Sequence, residues 1–293
     1  MSLDILFDVV VGAMPLAATY ALVAIGWVLI FRATGILNFA TGEYLVLGSY
    51  LVFWFVISIG VPFLIGLVLG LLLTAVISAL MYASVLRPLQ GEALFGPVMV
   101  TFGVAILMAS IMTMIWGAHA RVFTLPFDNN SYDLPGGAFV TTYGLATIAT
   151  AIVVYGGLIS FFRFSRFGTQ MRATAANPLL ASQRGINITL VFLVAFGMAM
   201  AFAALGGISF AASNVLTPAI AGLGLRAIAP ALIGGLDSIG GALIGSIIVA
   251  LVESMAVTQF GGGVRNASVF AVLLLTLAIR PHGLFGTPEI RRV

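Results

Sequence analysis

The side chains able to do chemistry are few and unevenly placed. Between Arg163 and Asn187 the chain reads RFSRFGTQMRATAANPLLASQRGIN, with four arginines (Arg163, Arg166, Arg172, Arg184) and no Asp or Glu. Elsewhere, polar groups interrupt apolar runs at Asn38, Thr41 and Glu43, at Asp237 and at Glu253. Such a set suits docking and the positioning of charge better than bond making. The only histidines are His119 and His282, so a His-rich metal site cannot be built, and His282 reads as a turn residue in Arg280-Pro-His-Gly283. Cys is absent, which excludes disulfides, thiolate metal sites and Cys nucleophiles. No Gly-x-Ser-x-Gly nucleophile motif and no Gly-x-x-x-x-Gly-Lys-Ser/Thr phosphate loop occurs. The chain is expected not to be an enzyme and to hold no cofactor or metal of its own.

The elements that must position these residues are membrane helices. Of 293 residues, 61% are hydrophobic and 7% charged, with a mean hydropathy of +1.20. A soluble domain carries about a quarter charged residues. The net charge of +3 is too small to suggest nucleic acid. The acidic start MSLDILFD lacks the basic region of a secretory signal, so no cleavable signal is expected. A span needs roughly 20 apolar residues. Nine are expected, near residues 9–31, 44–59, 63–86, 96–116, 138–162, 188–213, 217–235, 239–258 and 267–279. Together they make an all-α polytopic bundle and a single domain over 1–293. The seventh span holds Pro218, Arg226 and Pro230, which points to a broken or re-entrant helix.

Arginine placement orients the bundle. With the N-terminus outside, the inner connections hold Arg32, Arg87, Arg163, Arg166, Arg172, Arg184, Arg280, Arg291 and Arg292, while the outer ones hold Arg121 and Arg265. The C-terminus is then cytoplasmic. Two Gly/Pro-interrupted stretches, 32–43 and 229–242, fall near membrane depth, and paired breaks of this kind point to a translocation path. Asn38, Thr41, Gly42, Glu43, Gly234 and Gly235 are the candidates to line it. Glu43 reads equally as a path group or as a carboxylate at a helix N-terminus, where the helix dipole favours it. Asp237 reads as a helix cap. Glu253, inside the eighth span, reads as one half of a structural pair with Arg226 or Thr258. The Arg-Ala pairs at 32–33 and 226–227 hint at an internal repeat.

The basic segment 163–187 has readable substructure. Thr169 is expected to cap a short helix ending near Ala176. Asn177 and Pro178 then start a second, as N-cap and first helical residue, and Gly185 stops it. Met171, Leu179 and Leu180 place apolar groups on a segment ringed by arginine, the mark of a docking surface.

The stretch Gly168–Asn187 resembles the cytoplasmic coupling loop of bacterial ABC importer permeases of the branched-chain (hydrophobic) amino acid family. Three more stretches agree and run in family order. Gly35-Ile-Leu-Asn-Phe-Ala-Thr-Gly-Glu-Tyr44 resembles its Asn-Phe-Ala-x-Gly-Glu segment. Residues 232–245 resemble its Gly-Gly-x-x-x-x-x-Gly-Ala-x-x-Gly segment, and Arg280-Pro-His-Gly-Leu-Phe-Gly286 its C-terminal ending. The length suits the shorter of two permease subunits. Thr41 departs from the family, which often has His or Gln there, so a residue touching solute at that point would alter the substrate.

The resemblance implies an inverted-repeat permease fold and a heteromeric importer in the bacterial inner membrane. It would contain a second homologous permease, two ATPase subunits carrying ATP and Mg, and a periplasmic solute-binding protein, all amid membrane lipid. Coupling to the ATPase would fall to Thr169, Met171, Arg172, Ala175, Asn177, Pro178, Leu179, Leu180, Arg184 and Gly185. The solute would be an amino acid, with urea, amides or aromatic acids as alternatives. An ion-coupled secondary transporter is the distant rival, since Glu253 alone could serve as a mid-membrane ion ligand.

Overall fold

The computed structural model describes residues 3–92, 95–134 and 138–287, and side chains from residue 6 onward. Arg291 and Arg292 lie outside the described residues. Twelve α-helices follow in order: α1 Leu3–Thr34, α2 Thr41–Phe53, α3 Phe63–Met81, α4 Phe95–Trp116, α5 Thr142–Phe164, α6 Arg166–Ala176, α7 Pro178–Gln183, α8 Ile188–Ser213, α9 Ala221–Arg226, α10 Ile228–Gly234, α11 Ile239–Phe260 and α12 Arg265–Ile279. One hairpin, β1 Ser131–Asp133 against β2 Phe139–Thr141, precedes α5. Single π-helical turns extend α2 over Trp54–Ser58 and α3 over Tyr82–Leu86.

Eight of these helical stretches are long and apolar enough to cross a membrane. Between α8 and α11 lies a shorter, broken apolar stretch. It runs Pro218–Gly234 as a 3-10 turn followed by α9 and α10. Its two ends meet different loops. Leu216 pairs with Arg121 in the loop after α4, while Gly235 packs against Gly286 beyond α12. Laid end to end, its seventeen residues would rise about 27 Å, a little short of the roughly 30 Å hydrocarbon core. The chain is a multi-pass membrane protein.

The core is built from α1, α2 and α8. In the most apolar window of α1, 78% of residues are buried, against 11% for α4 and for the last span. Exposed Leu64, Ile106, Met114, Val153 and Leu274 are therefore on outward faces of a bundle whose solvent is lipid. In lipid, helices associate through close packing rather than water exclusion, so small residues sit at the crossings. Gly26 fits against the Ala199 backbone, and Gly206 against Thr19 and Leu22. The later residue of α1 meets the earlier one of α8, so the two helices run antiparallel.

That crossing relates two halves of opposite direction. Each half has a long first helix (α1, α8), a short interrupted second (α2, α9–α10), and two more (α3–α4, α11–α12). α1 packs along α11 as α8 packs along α3. The arrangement is an inverted repeat, with α5 to α7 between the halves. The Arg-Ala pairs are not its trace. Arg32 ends α1 on one face, whereas Arg226 ends α9 and pairs with Glu253 toward the other.

Candidate functional site

The basic segment folds as two capped helices on one face of the bundle. Ser165 caps α6, its hydroxyl accepting from the Gly168 N–H at 2.8 Å. Thr169, expected as the cap, instead lies inside α6, and its hydroxyl donates to the Ser165 carbonyl. The cap falls earlier because Gly168 must approach the Phe161–Phe162 backbone closely, which starts α6 directly off α5. Asn177 caps α7 as expected, its Oδ1 accepting from Leu180 N–H at 3.0 Å, with Pro178 at the first helical position. Gly185, at φ +80°, closes α7. Ile186 N–H reaches the Ala181 carbonyl and Gly185 N–H the Ser182 carbonyl, the paired bonds of a Schellman stop.

Burial divides the two helices into an anchor and a free surface. Met171, Thr174 and Ala181 are buried against the bundle. Met171 was expected on the exposed side and is instead an anchor, because the apolar face of α6 turns onto α1, α5 and α8. Leu179 and Leu180 are 69% and 57% exposed, beside exposed Asn177, Pro178 and Arg184. Arg172 donates from Nη2 to Thr169 Oγ1 at 3.2 Å. Arg172, Thr174 and Ala175 also form one wall of an open cleft of about 950 Å³, whose other walls come from Arg32 to Ile36, Leu89 to Glu92, Phe192, Asp237 and Thr287. The cleft is lined from four separate connecting stretches and from the α6–α7 element.

The first interrupted segment meets a partner that sequence reasoning did not identify. Gly42 opens α2 against Ala221 and Gly224 of α9, so closely that a Cβ at Gly42 or Gly224 would collide with the other backbone. Trp27 Nε1 donates to the Gly224 carbonyl at 3.1 Å. The two short helices of the repeat therefore cross on glycine. The Gly-Leu-Gly pair at 222–224 was the available signal.

The break before α2 is held from within. Asn38 Oδ1 accepts from Ala40 N–H at 3.1 Å, and Thr41 Oγ1 donates to the Asn38 carbonyl at 2.6 Å. Phe39 N–H donates to Thr101 Oγ1, and its ring sits between Trp27 and Phe102. Asn38 and Thr41 are buried in this arrangement. Glu43, in the first turn of α2, is half-buried, and its carboxylate pairs with no described residue.

Two expectations for the second break need correction. Gly234 packs against Gly241, and Gly235, at φ +104°, against Gly286, so both are buried in backbone contacts. They let α10 and α11 close into a tight hairpin and let the C-terminal tail seat on it. Leu284 and Phe285 N–H groups then take the Ile233 and Gly234 carbonyls that the end of α10 leaves open. Asp237 is not the cap of α11. Ser238 is, accepting from Gly241 N–H, while Asp237 accepts from the Thr287 backbone and hydroxyl.

A charge cluster lies toward the opposite face. Glu253, nearly fully buried in α11, pairs with Arg226 Nη1 at 3.3 Å and Arg265 Nε at 3.2 Å, and accepts from the Tyr20 hydroxyl. The Arg226 pair agrees with the sequence reading. Thr258 is not a partner, since its hydroxyl donates to the Ser254 carbonyl. Arg265 and Tyr20 were not anticipated, because nothing in their local sequence brings α12 and α1 to α11.

Comparison with known proteins agrees with this architecture. The family model described as "Branched-chain amino acid transport system / permease component" matches residues 9–279. The chain is 29% identical to the high-affinity branched-chain amino acid transport system permease protein LivH of Escherichia coli K12, over 96% of both chains. It is 28% identical to the corresponding permease protein BraD of Pseudomonas aeruginosa, over 97% of this chain and 96% of that one. Among solved structures, PsaBC from Streptococcus pneumoniae in complex with Fab is similar in fold. The TM-score is 0.51 at 15% identity, covering 92% of this chain and 91% of that one.

Proposed function

The chain belongs to the family of branched-chain amino acid transport permease components, and on that premise we propose that it is a permease subunit of an ATP-driven importer carrying amino acids from periplasm to cytoplasm. The relatives named for branched-chain amino acid transport support that solute class. In this reading the chain pairs with a second homologous permease in the bacterial inner membrane and receives solute from a periplasmic binding protein. Two ATPase subunits dock beneath it and bring the ATP and Mg that this chain has no motif to hold. The N-terminus faces the periplasm and the C-terminus the cytoplasm, in keeping with the arginine-rich face that bears α6 and α7.

The observation that carries the proposal is the α6–α7 element. It is capped at both helices and rooted by Met171, Thr174 and Ala181, and it holds Leu179 and Leu180 out beside Arg184. An exposed apolar pair beside an arginine, on a helix capped at its start, is a surface for a protein partner. Its roots reach α1, α5 and α8, so a push on it reaches the bundle core. The solute path runs by the crossing of α2 with α9, bordered by Glu43, with Asn38 and Thr41 holding the break behind it. Interrupted helices at such depth are tolerated only when buried or facing a water-filled cavity. An unpaired carboxylate there faces the path or the second permease rather than lipid.

Leu179→Asp tests the coupling surface with little risk to folding, because the side chain is mostly exposed. In proteoliposomes holding the complete complex, uptake and solute-stimulated ATP hydrolysis should fall at least tenfold while the permease stays in the membrane. Normal values for both would defeat the coupling role of α7.

A further inference from the structure

The charge cluster at Glu253 is out of balance, and a cleft opens onto it. Two guanidinium groups, Arg226 and Arg265, share one carboxylate. Among the described residues no other acidic side chain pairs with either. The excess positive charge is shared between Arg226, 13% exposed, and Arg265, 46% exposed. Each arginine has five N–H donors, and the contacts to Glu253 use one from each. Arg226, Arg265 and Glu253 itself line a cleft of about 230 Å³ between α1, α5, α8 and α11, together with Thr19, Ser213 and Asn214. That is smaller than the roughly 300–1,000 Å³ of a drug-sized site and suited to a small solute.

From this geometry we infer that the cleft is a binding station for the carboxylate of an amino-acid-sized solute. A planar carboxylate matches the arginine fork and would bring the cluster to neutrality. Arg226 is the last residue of α9, two positions beyond the glycine that crosses α2. A solute held here therefore sits beside the hinge of the interrupted pair, on the face opposite α6 and α7. Glu253 gathers the two arginines on one oxygen, Oε1. It is a positioning residue, with Tyr20 fixing its second oxygen.

The inference rests on the transport reading, and the following experiment separates the two. The full chain in phosphatidylcholine nanodiscs is titrated with tritiated leucine, with 4-methylpentanoate and leucinamide as competitors. Leucine should bind saturably, 4-methylpentanoate should displace it, and leucinamide, which lacks the carboxylate, should not. Arg265→Gln removes a donor from a half-exposed side chain, and Ser213→Leu fills the cleft without touching the ion pairs. Each should weaken leucine binding at least tenfold with an unchanged melting temperature.

Absence of saturable binding would overturn the inference, as would leucinamide competing equally with leucine. So would native mass spectrometry of the membrane-extracted protein showing a phosphatidylglycerol that Arg265→Gln releases, since the cleft would then hold a lipid phosphate. ATP-driven uptake by the complete complex is read separately. Unchanged leucine binding in Ser213→Leu, with uptake intact in the unsubstituted complex, sinks the station alone, and absence of uptake in the unsubstituted complex sinks the transport reading alone.

Discussion

Glu253 shows how unequal two ion pairs of similar length can be. Its contacts to Arg226 and Arg265 are 3.3 Å and 3.2 Å, yet Arg226 is 13% exposed and Arg265 46%. An exposed pair contributes about 0–1 kcal/mol, whereas removing one partner of a buried pair costs about 3–5 kcal/mol, because a charge is left buried and alone. Glu253→Gln should therefore lower the thermal midpoint in detergent clearly, by about 3 kcal/mol of stability, while Arg265→Gln should move it little. Equal shifts would mean that burial does not set the worth of these pairs. Glu253 and Arg226 could be read from the chain as charges inside apolar spans, which must find partners. Arg265 could not, because it begins α12 at a membrane boundary where a lone arginine needs none.

At the scale of elements, α7 is six residues long and depends on its ends. An isolated helix of that length is not stable in water. The Asn177 cap contributes about 1 kcal/mol, and the left-handed geometry at Gly185 would cost another side chain a similar amount. Hydrogen exchange read by mass spectrometry checks this. Asn177→Ala combined with Gly185→Ala should lose about tenfold or more protection over 178–186, with protection in α8 unchanged. Loss spread through α8 would show that α7 is held by packing and not by its caps. These end signals are local, so Asn177, Pro178 and Gly185 were legible in the chain. Thr169 was misread for Ser165 because both suit a cap, and the choice turned on Gly168 meeting α5. Gly234 and Gly235 were misread because a glycine written in a line does not say whether it opens a cavity or admits another backbone. Here each admits one.

At the scale of the molecule, the described connections gather in two separate clefts. The connections at 32–36, 89–92, 172–178, 237 and 287 share one cleft, while Asp8, the β2 strand and Thr258 share another toward the other face. The absence of native cysteine makes sidedness directly measurable. In cells with a permeabilised outer membrane, an impermeant maleimide should label Asn129→Cys at once and Ser182→Cys only after lysis. The reverse pattern would invert the orientation.

The sequence by itself determined the class of molecule, most of its long apolar helices and the two-helix build of the basic segment. Apolar run length, arginine bias and helix caps all act over one span or one turn, so they are written where they operate. It also placed a lone carboxylate in α11 that had to be paired. Only the tertiary structure decided that α2 meets α9 on glycine, that α10 carries the C-terminal tail, and that Arg265 and Tyr20 complete the cluster at Glu253. Those contacts join residues far apart in the chain through close backbone approach in lipid, where packing geometry rather than hydrophobic pattern selects the partner.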